Sequence, residues 1–568
     1  MASLAPSALP RTPEAGPAPD AGRTLDALNF FLADVRDGLG PYLAIYLLAV
    51  RGPAHGWNEA TVGLVLTIAG IVGLVAQTPA GGLIDRSRNK PRIVMIAALL
   101  VTLSSLSLPV VSGFTMVTIT QSIAAVAGAV FAPAISWHDG TFYIVNTCVR
   151  CKGNFIITAR NPAGPWSDPI WLPFEGIDPS IYWEGDRAYI VNNRAPAEPP
   201  RYEGHRAIWI QEYDWRKGEM VGESTQLVNG GVDLRAKPVW IEGPHIFRKD
   251  GYYYLTAAEG GTSVNHSQVV FRSKELRGPY QPFAGNPILT QRDLPADRPD
   301  PITSAGHAQL VQTPKGDWWA TFLAVRPYEG DYYNIGRETF LLPVTWSDGW
   351  PHILAPKTPI PFAATKPRLP AQPRPTTPVT GDFAYSDAFD GKSLAMQWIG
   401  IRAPATPFHT LGAGGLTLRS RAALGDRQGV PAFLGRRQQH HIATITTRVT
   451  FAPRTDGARA GLAAVQNDES FLFFGITRIA GKPVVALYAR DKAQADTLVT
   501  SAPVDPSGPV TLTIRADKGV MAFDYQTRAG RRTLLSNFDA TLLTTARAGG
   551  FVGTVVGPYV YDPAAGTS

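Results

Sequence analysis

The chain has 568 residues, of which 45% are hydrophobic, and 53 Lys and Arg against 46 Asp and Glu give a net charge of +7 and a pI near 9.2. A chain of this length is expected to form about three or four domains. The basic residues are scattered, which argues against a nucleic-acid-binding arm, so we expect no nucleic-acid partner. Cys148 and Cys151 form a single CxxC pair with no second pair, and we expect them to be incidental residues of a strand and turn.

The first 135 residues have the composition of a membrane protein. Residues 1–24 are rich in Pro and Ala and lack the apolar stretch of a signal peptide, so we expect a disordered leader. Residues 61–84 contain no charged residue, and neither do residues 93–135, which are long enough for two membrane crossings of about 20 residues each. These two runs predict three transmembrane helices.

An earlier apolar segment, residues 25–50, contains Asp34, Arg36 and Asp37. It is either a first transmembrane helix whose polar side chains face a cavity or a buried helix of a soluble core. With it, we predict about four transmembrane helices within residues 25–135, which makes the chain a multi-pass membrane protein.

The segment GGLIDRSRNKPR at residues 81–92 is a short, positively charged loop between two apolar runs, so we expect it to lie on the cytoplasmic side. It resembles the cytoplasmic loop signature of major facilitator superfamily transporters, although Arg88 stands where that family prefers Gly. The residues that match the signature are Gly81, Asp85, Arg86 and Lys90. A transporter of this family has two six-helix halves, and four helices cannot build its transport path. Four crossings would also leave the rest of the chain in the cytoplasm, whereas three would place it outside.

After residue 135 the sequence repeats a hairpin pattern. Each of four segments places a Gly-containing turn before an aromatic-rich strand, namely WHDGTFYIVNT (137–147), YWEGDRAYIVNN (182–193), FRKDGYYYLTAAEG (247–260) and QTPKGDWWATFLAV (312–325). Repeats of this kind are typical of successive blades of a β-propeller, and a series of unrelated hairpins is the alternative.

Two carboxylates stand at equivalent places in two of the repeats. Asp178 of GIDPSIYW and Glu242 of IEGPHIF each open a predicted strand. Because the starts of the strands line the central funnel of a propeller, we expect both side chains to converge there.

The region from residue 132 to residue 355 resembles the catalytic domain of glycoside hydrolase family 43, a five-bladed propeller of β-xylosidases and α-L-arabinofuranosidases. The motifs that carry the resemblance are APAI-x-W-HDG-x-FY, G-x-DPS, EGPH followed by DGYYYL, SAGHAQL (304–310) and GRETFLLPV (336–344). The resemblance implies an all-β domain that acts on O-glycosidic bonds of xylose- or arabinose-containing oligosaccharides.

The resemblance also implies roles for individual residues. Glu242 would be the general acid, and Asp178 would orient it and raise its pKa through like-charge proximity. Arg337 would contact the substrate, as would Phe131, which stands where the family favours Trp. His307 would hold, through water, a calcium or sodium ion on the propeller axis, and no other cofactor is required.

The general base is not found. An inverting glycosidase needs a second carboxylate, which the family places on its first blade, upstream of APAI. The acidic residues before residue 132, such as Asp34, Asp37 and Asp85, lie in the transporter-like segment, and the DP of residues 297–303 lies before the last blade. We therefore interpret the chain as a chimera, joined at APAI, of a truncated transporter and a propeller without its first blade.

Residues 356–382 are Pro-rich and predict an extended linker. Residues 383–568 contain alternating strands and predict an all-β sandwich. The D-x-FDG-x-x-L-x-x-QW opening of this region resembles the concanavalin A-like domain that follows the propeller in xylosidases of the family, although such a sandwich could equally be a carbohydrate-binding module.

The fold class predicted for the main body is thus all-β, an incomplete propeller and a sandwich behind about four transmembrane helices. The predicted function is that of a glycosidase impaired by the loss of its general base. The alternatives are a sugar-binding chimera without turnover and a truncated membrane transporter. The sequence does not distinguish xylosides from arabinosides.

Overall fold

The computed structural model describes residues 129–565, with gaps at residues 131, 150–151, 372, 374–376, 378–379, 403, 405, 428 and 493–494. The predicted leader and nearly all of the predicted membrane segment lie outside these residues, as does Phe131. In the described part, no helix is long and apolar enough to cross a membrane. Its helical elements are short turns at Leu234–Ala236, Thr541–Leu543 and Thr545–Ala548.

Four antiparallel sheets follow one another along the first half of the described chain. The first contains β1 (Ala129–Val130), β2 (Ala134–His138), β3 (Thr141–Val149), β4 (Gly153–Ala159) and β5 (Ile170–Trp171). The second contains β6 (Ile177–Glu184), β7 (Arg187–Arg194), β8 (Ala207–Asp214) and β9 (Glu219–Asn229). The third contains β10 (Glu242–Lys249), β11 (Tyr252–Glu259), β12 (Ser267–Ser273), β13 (Gln281–Pro282) and β14 (Leu289–Thr290). The fourth contains β15 (Thr303–Gln312), β16 (Trp318–Val325), β17 (Glu338–Ser347) and β18 (Trp350–His352).

Each sheet is built around one of the four predicted hairpins. Asp139 and Gly140 connect β2 to β3 with φ of 46° and 71°, and Asp250 and Gly251 connect β10 to β11 with φ of 48° and 75°. Positive φ at both central residues is the requirement of a type I′ turn, which Asp-Gly satisfies at little steric cost. The hairpins predicted from the sequence are therefore confirmed.

Neighbouring sheets share hydrophobic cores. The first and second sheets bury Tyr143 against Ile190, and the second and third bury Val191 against Leu255. The third and fourth bury Tyr254 among the apolar side chains of β16. Within the described residues, no such core joins the fourth sheet to the first. Four sheets linked by three interfaces form an open ring, in agreement with the predicted incomplete propeller.

Two expectations need correction at the start of this ring. The predicted fourth transmembrane helix cannot extend to Ile135, because Ile135 pairs with Ile144 in the antiparallel ladder of β2 and β3. Cys148 is disulfide-bonded, so its interpretation as an incidental residue is wrong, and Cys151, the other cysteine in the sequence, lies outside the described residues.

The second half of the described chain is a β-sandwich, and residues 353–408 hold no strand or helix in the part described. Its strands are β19 (His409–Gly412), β20 (Gly415–Leu418), β21 (Ala432–Phe433), β22 (Arg436–Arg437), β23 (Ile442–Val449), β24 (Arg459–Asn467), β25 (Ser470–Ile479), β26 (Lys482–Asp491), β27 (Thr497–Pro503), β28 (Val510–Asp517), β29 (Val520–Thr527), β30 (Gly530–Asp539) and β31 (Val555–Tyr561). A seven-stranded sheet centred on β24 and β25 packs on a four-stranded sheet of β23, β28, β29 and β30. Phe474 and Phe523 are buried in the core between them.

The sandwich packs tightly against the fourth sheet of the ring. A Cβ on Gly336 would lie 2.3 Å from the backbone nitrogen of Gly553, so neither glycine leaves room for a side chain. Beside them, the backbone N–H of Thr554 donates to the carbonyl of Asn334 at 2.7 Å. This close approach brings the loop before β31 to the region that precedes β17.

Candidate active site

Asp178 lies at the second position of β6, where the sequence placed it, and its side chain is buried, with the residue only 7% exposed. Its backbone is in the left-handed region, with φ of 51°, and the pairing of β6 with β7 is irregular between Ile177 and Ser180. This bulge takes Asp178 out of the regular ladder. Its carboxylate accepts a hydrogen bond from Nε2 of His307 at 3.1 Å.

His307 occupies a similar irregularity in β15. Its φ is 56°, and the ladder with β16 shifts between Thr303 and Gly306 and again between Gly306 and Gln309. The ring packs against Gly243, where a Cβ would lie 2.5 Å from Cε1 of His307. Gly243 of the EGPH motif is therefore required to leave space for the imidazole beside Asp178.

Glu242 is the first residue of β10, and its strand position pairs with Ala258. Ligand atoms of Glu242, Asp178 and His307 lie within 4.8 Å of one another. The structure thus brings together three of the residues that the sequence analysis singled out. They come from the second, third and fourth sheets.

The environment of Glu242 raises the pKa of its carboxyl group to about 7. Burial is the larger cause and the negative charge of Asp178 is the second, while His307 and Arg337 act in the opposite direction. The expected like-charge effect of Asp178 is present, but desolvation exceeds it. A carboxyl group with this pKa is substantially protonated at neutral pH.

Two histidines near the carboxylates have pKa values that are shifted in opposite directions. Burial acts to lower the pKa of His307, but the hydrogen bond to Asp178 and the charges of Asp178 and Glu242 outweigh it and raise that pKa. His245, also in the EGPH motif, is buried next to His307, and its pKa falls to about 4. At neutral pH His245 therefore lines the site as an uncharged side chain.

Arg337 lies immediately before β17. Burial lowers the pKa of its guanidinium, and the charges of Tyr333, Glu242 and Asp178 act in the opposite direction. Its guanidinium donates a hydrogen bond to Thr262 and lies over the ring of Phe551, 3.9 Å from the centroid. Phe551 belongs to the sandwich, in the loop that the contact between Gly336 and Gly553 holds in place. Phe551 was not predicted from the sequence, and the glycines on either side of it in GGFVG were the available signal.

A cavity of about 210 Å³ lies beside Asp178, His245 and His307. On its other side it is bounded by Ala132–Ala134 at the start of the first sheet and by residues of β16 and β17 in the fourth. Among the described residues that line it, Asp178 is the only carboxylate. No candidate for the general base is therefore seen among the described lining residues, and Phe131 lies outside the described part of the chain.

The resemblance implies a calcium or sodium ion that His307 holds through water. Nε2 of His307 donates to Asp178, so Nδ1 is the ring nitrogen that remains to contact such a water. The ligand atoms of Asp178, Glu242 and His307 are also near enough to one another for an ion. Nε2 of His307 is engaged with Asp178 and is not free to bind an ion directly. The arrangement therefore fits a cation that His307 contacts through a water molecule.

Comparisons with known proteins agree with this architecture. The model of glycosyl hydrolases family 43 matches residues 112–351, and the model of the beta xylosidase C-terminal concanavalin A-like domain matches residues 386–568. A xylosidase/arabinosidase of Butyrivibrio fibrisolvens is 34% identical over 449 residues, which cover 76% of this chain and 83% of that protein. The chain belongs to glycosyl hydrolase family 43. By family it is a glycosidase, as the sequence motifs predicted.

Other members of family 43 show similar relationships. A non-reducing end alpha-L-arabinofuranosidase of Bacteroides ovatus is 34% identical over 440 residues, covering 76% of this chain and 78% of that protein. The crystal structure of a GH43_12 protein from a capybara gut metagenome superposes with a TM-score of 0.70 at 34% identity, covering 77% of this chain and 83% of that one. For the xylan beta-1,4-xylosidase of Bacillus halodurans the TM-score is 0.67 at 29% identity, over 77% and 84% of the two chains.

The N-terminal segment has a different relative. An uncharacterized MFS-type transporter of Mycobacterium tuberculosis is 46% identical over 118 residues, which cover 21% of this chain and 27% of that protein. The resemblance of this segment to part of a major facilitator superfamily transporter is confirmed. The family 43 match begins at residue 112, upstream of Ala132, where the sequence analysis placed the join.

Proposed function

We propose that the chain is an inverting glycosidase for xylose- or arabinose-containing oligosaccharides, in which Glu242 is the general acid. The observation that carries this proposal is the pKa of about 7 of the Glu242 carboxyl group, beside Asp178 and His307. At neutral pH Glu242 holds the proton that a departing glycosidic oxygen needs. Burial, and after it the charge of Asp178, keeps the pKa of the acid high, and Asp178, held by His307, orients it.

The substrate class rests on the relatives and on two side chains. The relatives named above are xylosidases and arabinofuranosidases. Arg337 offers a fixed fork of N–H donors that suits sugar hydroxyls, and Phe551 offers an apolar ring beside it. We assign both residues to substrate binding.

We further propose that the chain by itself turns over slowly. Inversion requires a base carboxylate about 6.5–9.5 Å from the acid, across the sugar. The cavity beside Asp178 opens at the gap in the ring, and its described lining includes no further carboxylate. Loss of a general base lowers rates by about 10²–10⁴-fold.

For the N-terminal part we propose membrane association with both β-domains in the cytoplasm. The support is the match to a transporter and the positively charged loop at residues 81–92. A suitable test is a reporter that is active only when exported, fused after Ser568. Activity of this reporter would contradict the proposed topology.

The test of the glycosidase proposal compares the purified full-length chain with a version that carries a family first blade, with its Asp, inserted before Ala132. Hydrolysis of 4-nitrophenyl xyloside and 4-nitrophenyl arabinofuranoside is the measurement. We expect little turnover by the chain itself, at least about 10²-fold more by the grafted chain, and loss of that gain in its Glu242→Gln variant. A grafted chain that folds but cleaves neither substrate would contradict the proposal.

A sugar-binding protein without turnover is the second candidate, and the cavity lining without a second carboxylate favours it. It predicts that the unaltered chain binds xylobiose, measured by titration calorimetry, and that grafting changes nothing in hydrolysis.

A further inference from the structure

The strand that carries His307 is irregular on both sides of Gly306. In the ladder with β16, two residues of β15 oppose one just before Gly306, and His307 and Ala308 together oppose Phe322 just after it. Ser304 and His307 both have positive φ. Bulged residues lose ladder hydrogen bonds, so their buried backbone groups need other partners. The backbone conformation that turns the imidazole of His307 into the funnel is therefore supported from outside β15.

Gln268 of β12 supplies part of this support. The backbone N–H of Ala308 donates to Oε1 of Gln268 at 2.6 Å, and Nε2 of Gln268 donates to the carbonyl of Ala308 at 3.3 Å. Both residues are fully buried. The side-chain amide thus takes the place of a backbone partner for the residue next to His307. We call these two hydrogen bonds the Gln268 clasp.

His266, immediately before β12, holds the other end of the irregular stretch. Its side chain is buried, and its Nδ1 lies 3.0 Å from the carbonyl oxygen of Ser304. Since a carbonyl oxygen only accepts, Nδ1 carries the proton. The ring packs on Gly306, where a Cβ would lie 2.7 Å from Cε1 of His266. His266 and Gln268 therefore hold the backbone on both sides of His307.

The position of Gln268 in β12 is one at which an apolar residue would be expected. Val269 and Phe271 enter the core shared by the second and third sheets, and Val270 enters the core shared by the third and fourth. Alternate residues of a strand share a face, so Gln268 lies on the face of Val270. A buried amide is costly unless its groups are hydrogen-bonded. The clasp on Ala308 accounts for a polar side chain at this place.

We propose that Gln268 is a positioning residue of the glycosidase site. The clasp fixes the bulge in β15, the bulge directs Nε2 of His307 to Asp178, and Asp178 in turn orients Glu242. The effect on catalysis rests on the proposed function. The effect on the hydrogen bond between His307 and Asp178 does not depend on turnover.

Crystal structures of full-length variants test the first of these steps. Gln268→Met keeps a side chain of similar size and removes the clasp. We expect the distance between Nε2 of His307 and Oδ2 of Asp178 to increase from 3.1 Å to more than about 3.5 Å in this variant, so that the hydrogen bond is lost.

Gln291→Met is the matched control. Gln291 is also buried and makes the same kind of pair, because its Oε1 accepts from the N–H of Ile360 and its Nε2 donates to the carbonyl of Thr358. These two partners lie in a segment that carries none of the proposed site residues. The bond between His307 and Asp178 should therefore stay unchanged in Gln291→Met.

Rates of the grafted chain test the step to catalysis. Loss of an oriented acid slows a substrate with a basic leaving group most, whereas a smaller folded fraction slows every substrate equally. We expect Gln268→Met to lower kcat on xylobiose by about 10²-fold and to lower kcat on 2,4-dinitrophenyl xyloside much less. Gln291→Met should leave the ratio of the two rates unchanged.

Gln268→Glu is the conservative variant. Its carboxyl group, when protonated, accepts from the N–H of Ala308 and donates to the carbonyl, and when ionised it cannot donate. Burial favours the protonated form at low pH. Relative to the grafted chain with Gln268, we expect kcat on xylobiose to be within about 3-fold at pH 5 and at least about 10-fold lower at pH 8. If Gln268→Met does not fold, this variant decides.

Several results would overturn the proposal. One is an unchanged bond between His307 and Asp178 in the Gln268→Met structure. Another is loss of the same bond in Gln291→Met, since removal of any buried amide would then disturb the site. A third is an equal loss on both substrates in the Gln268 variants, which would show that Gln268 supports only the fold. A fourth is a relative rate of Gln268→Glu that does not change with pH.

The two measurements separate this inference from the proposed function. If the grafted chain cleaves no glycoside but Gln268→Met breaks the bond between His307 and Asp178, the clasp has its positioning role and the glycosidase proposal fails. If the grafted chain is active and Gln268→Met changes neither the bond nor the ratio of the rates, the glycosidase proposal stands and this inference fails.

Discussion

Oδ2 of Asp178 and Nε2 of His307, 129 positions apart in the sequence, lie 3.1 Å apart in a hydrogen bond across the funnel. Asp178 belongs to the second sheet and His307 to the fourth, so the bond links two sheets that are not neighbours. Both residues have positive φ, at bulges that turn their side chains inward. The funnel is therefore held together from within, although the ring has a gap between its first and fourth sheets.

Replacing Asp178 by Asn should change the pH dependence of the grafted chain. Because the charge of Asp178 helps to raise the pKa of Glu242 to about 7, its removal lowers that pKa. The acid then loses its proton at lower pH, and the basic limb of the profile of kcat/KM moves in the same direction. Rates measured on 4-nitrophenyl xyloside between pH 4 and pH 9 check this. An unmoved basic limb would mean that Glu242 does not set it.

Glu242 should also make the stability of the unaltered chain depend on pH. Its folded-state pKa of about 7 exceeds the ordinary value of 4.5, so the folded state binds more protons between these values and stability falls as pH rises through them. Gln cannot ionise and avoids this penalty. We expect Glu242→Gln to raise the free energy of unfolding at pH 8 by at most about 3 kcal/mol, and to have little effect below pH 4.

Denaturant melts of the two full-length proteins at pH 4 and pH 8 measure this difference. Glu338→Gln serves as the comparison. Glu338 forms an ion pair with Arg326, so its replacement should lower the stability of the chain. A Glu242→Gln variant that is less stable than the unaltered chain at pH 8 would contradict the expected penalty.

Much of the ring could be predicted because its signals are local. An Asp-Gly turn followed by alternating aromatic residues defines a hairpin within about a dozen residues, and Asp139–Gly140 and Asp250–Gly251 form the expected turns. The convergence of Asp178 and Glu242 was also predicted, and it needed only the assumption that the strand starts meet at the funnel. The place of His307 on the propeller axis came from the family resemblance alone.

Features that depend on contacts distant in sequence could not be predicted. Phe551 reaches Arg337 only because Gly336 and Gly553 allow the sandwich to approach the ring. The predicted helix end was wrong at Ile135 for a related reason, since a charge-free run is compatible with a helix or a strand. Only pairing with Ile144 decides between them.

Gly336→Ala should separate the sandwich from the ring. Gly336 has φ of 72°, and a Cβ there would lie 2.3 Å from the backbone of Gly553. Gly185→Ala is the matched control, since Gly185 has φ of 58° and nothing within 4 Å of a Cβ. We expect about 1–2 kcal/mol of destabilisation for the control, from backbone strain alone. For Gly336→Ala we expect at least about 3 kcal/mol, because the backbone must also move.

Thermal melts together with limited proteolysis provide the measurement. The Gly336→Ala chain should be cut more rapidly within residues 361–385, which hold no strand or helix in the part described. Equal melting temperatures and cutting rates for the two variants would mean that the close contact at Gly553 does not hold the sandwich in place.

The role of Glu242 as a proton donor can be tested through the leaving group in the grafted chain. A general acid matters most when the departing oxygen is strongly basic, and least when it leaves readily as an anion. Glu242→Ala should therefore slow hydrolysis of xylobiose by about 10²–10⁴-fold and slow that of 2,4-dinitrophenyl xyloside much less. Arg337→Ala is the comparison, because a substrate-binding residue should slow both substrates by similar factors. Equal losses on the two substrates for Glu242→Ala would show that Glu242 binds or positions the sugar and that the proton comes from another group.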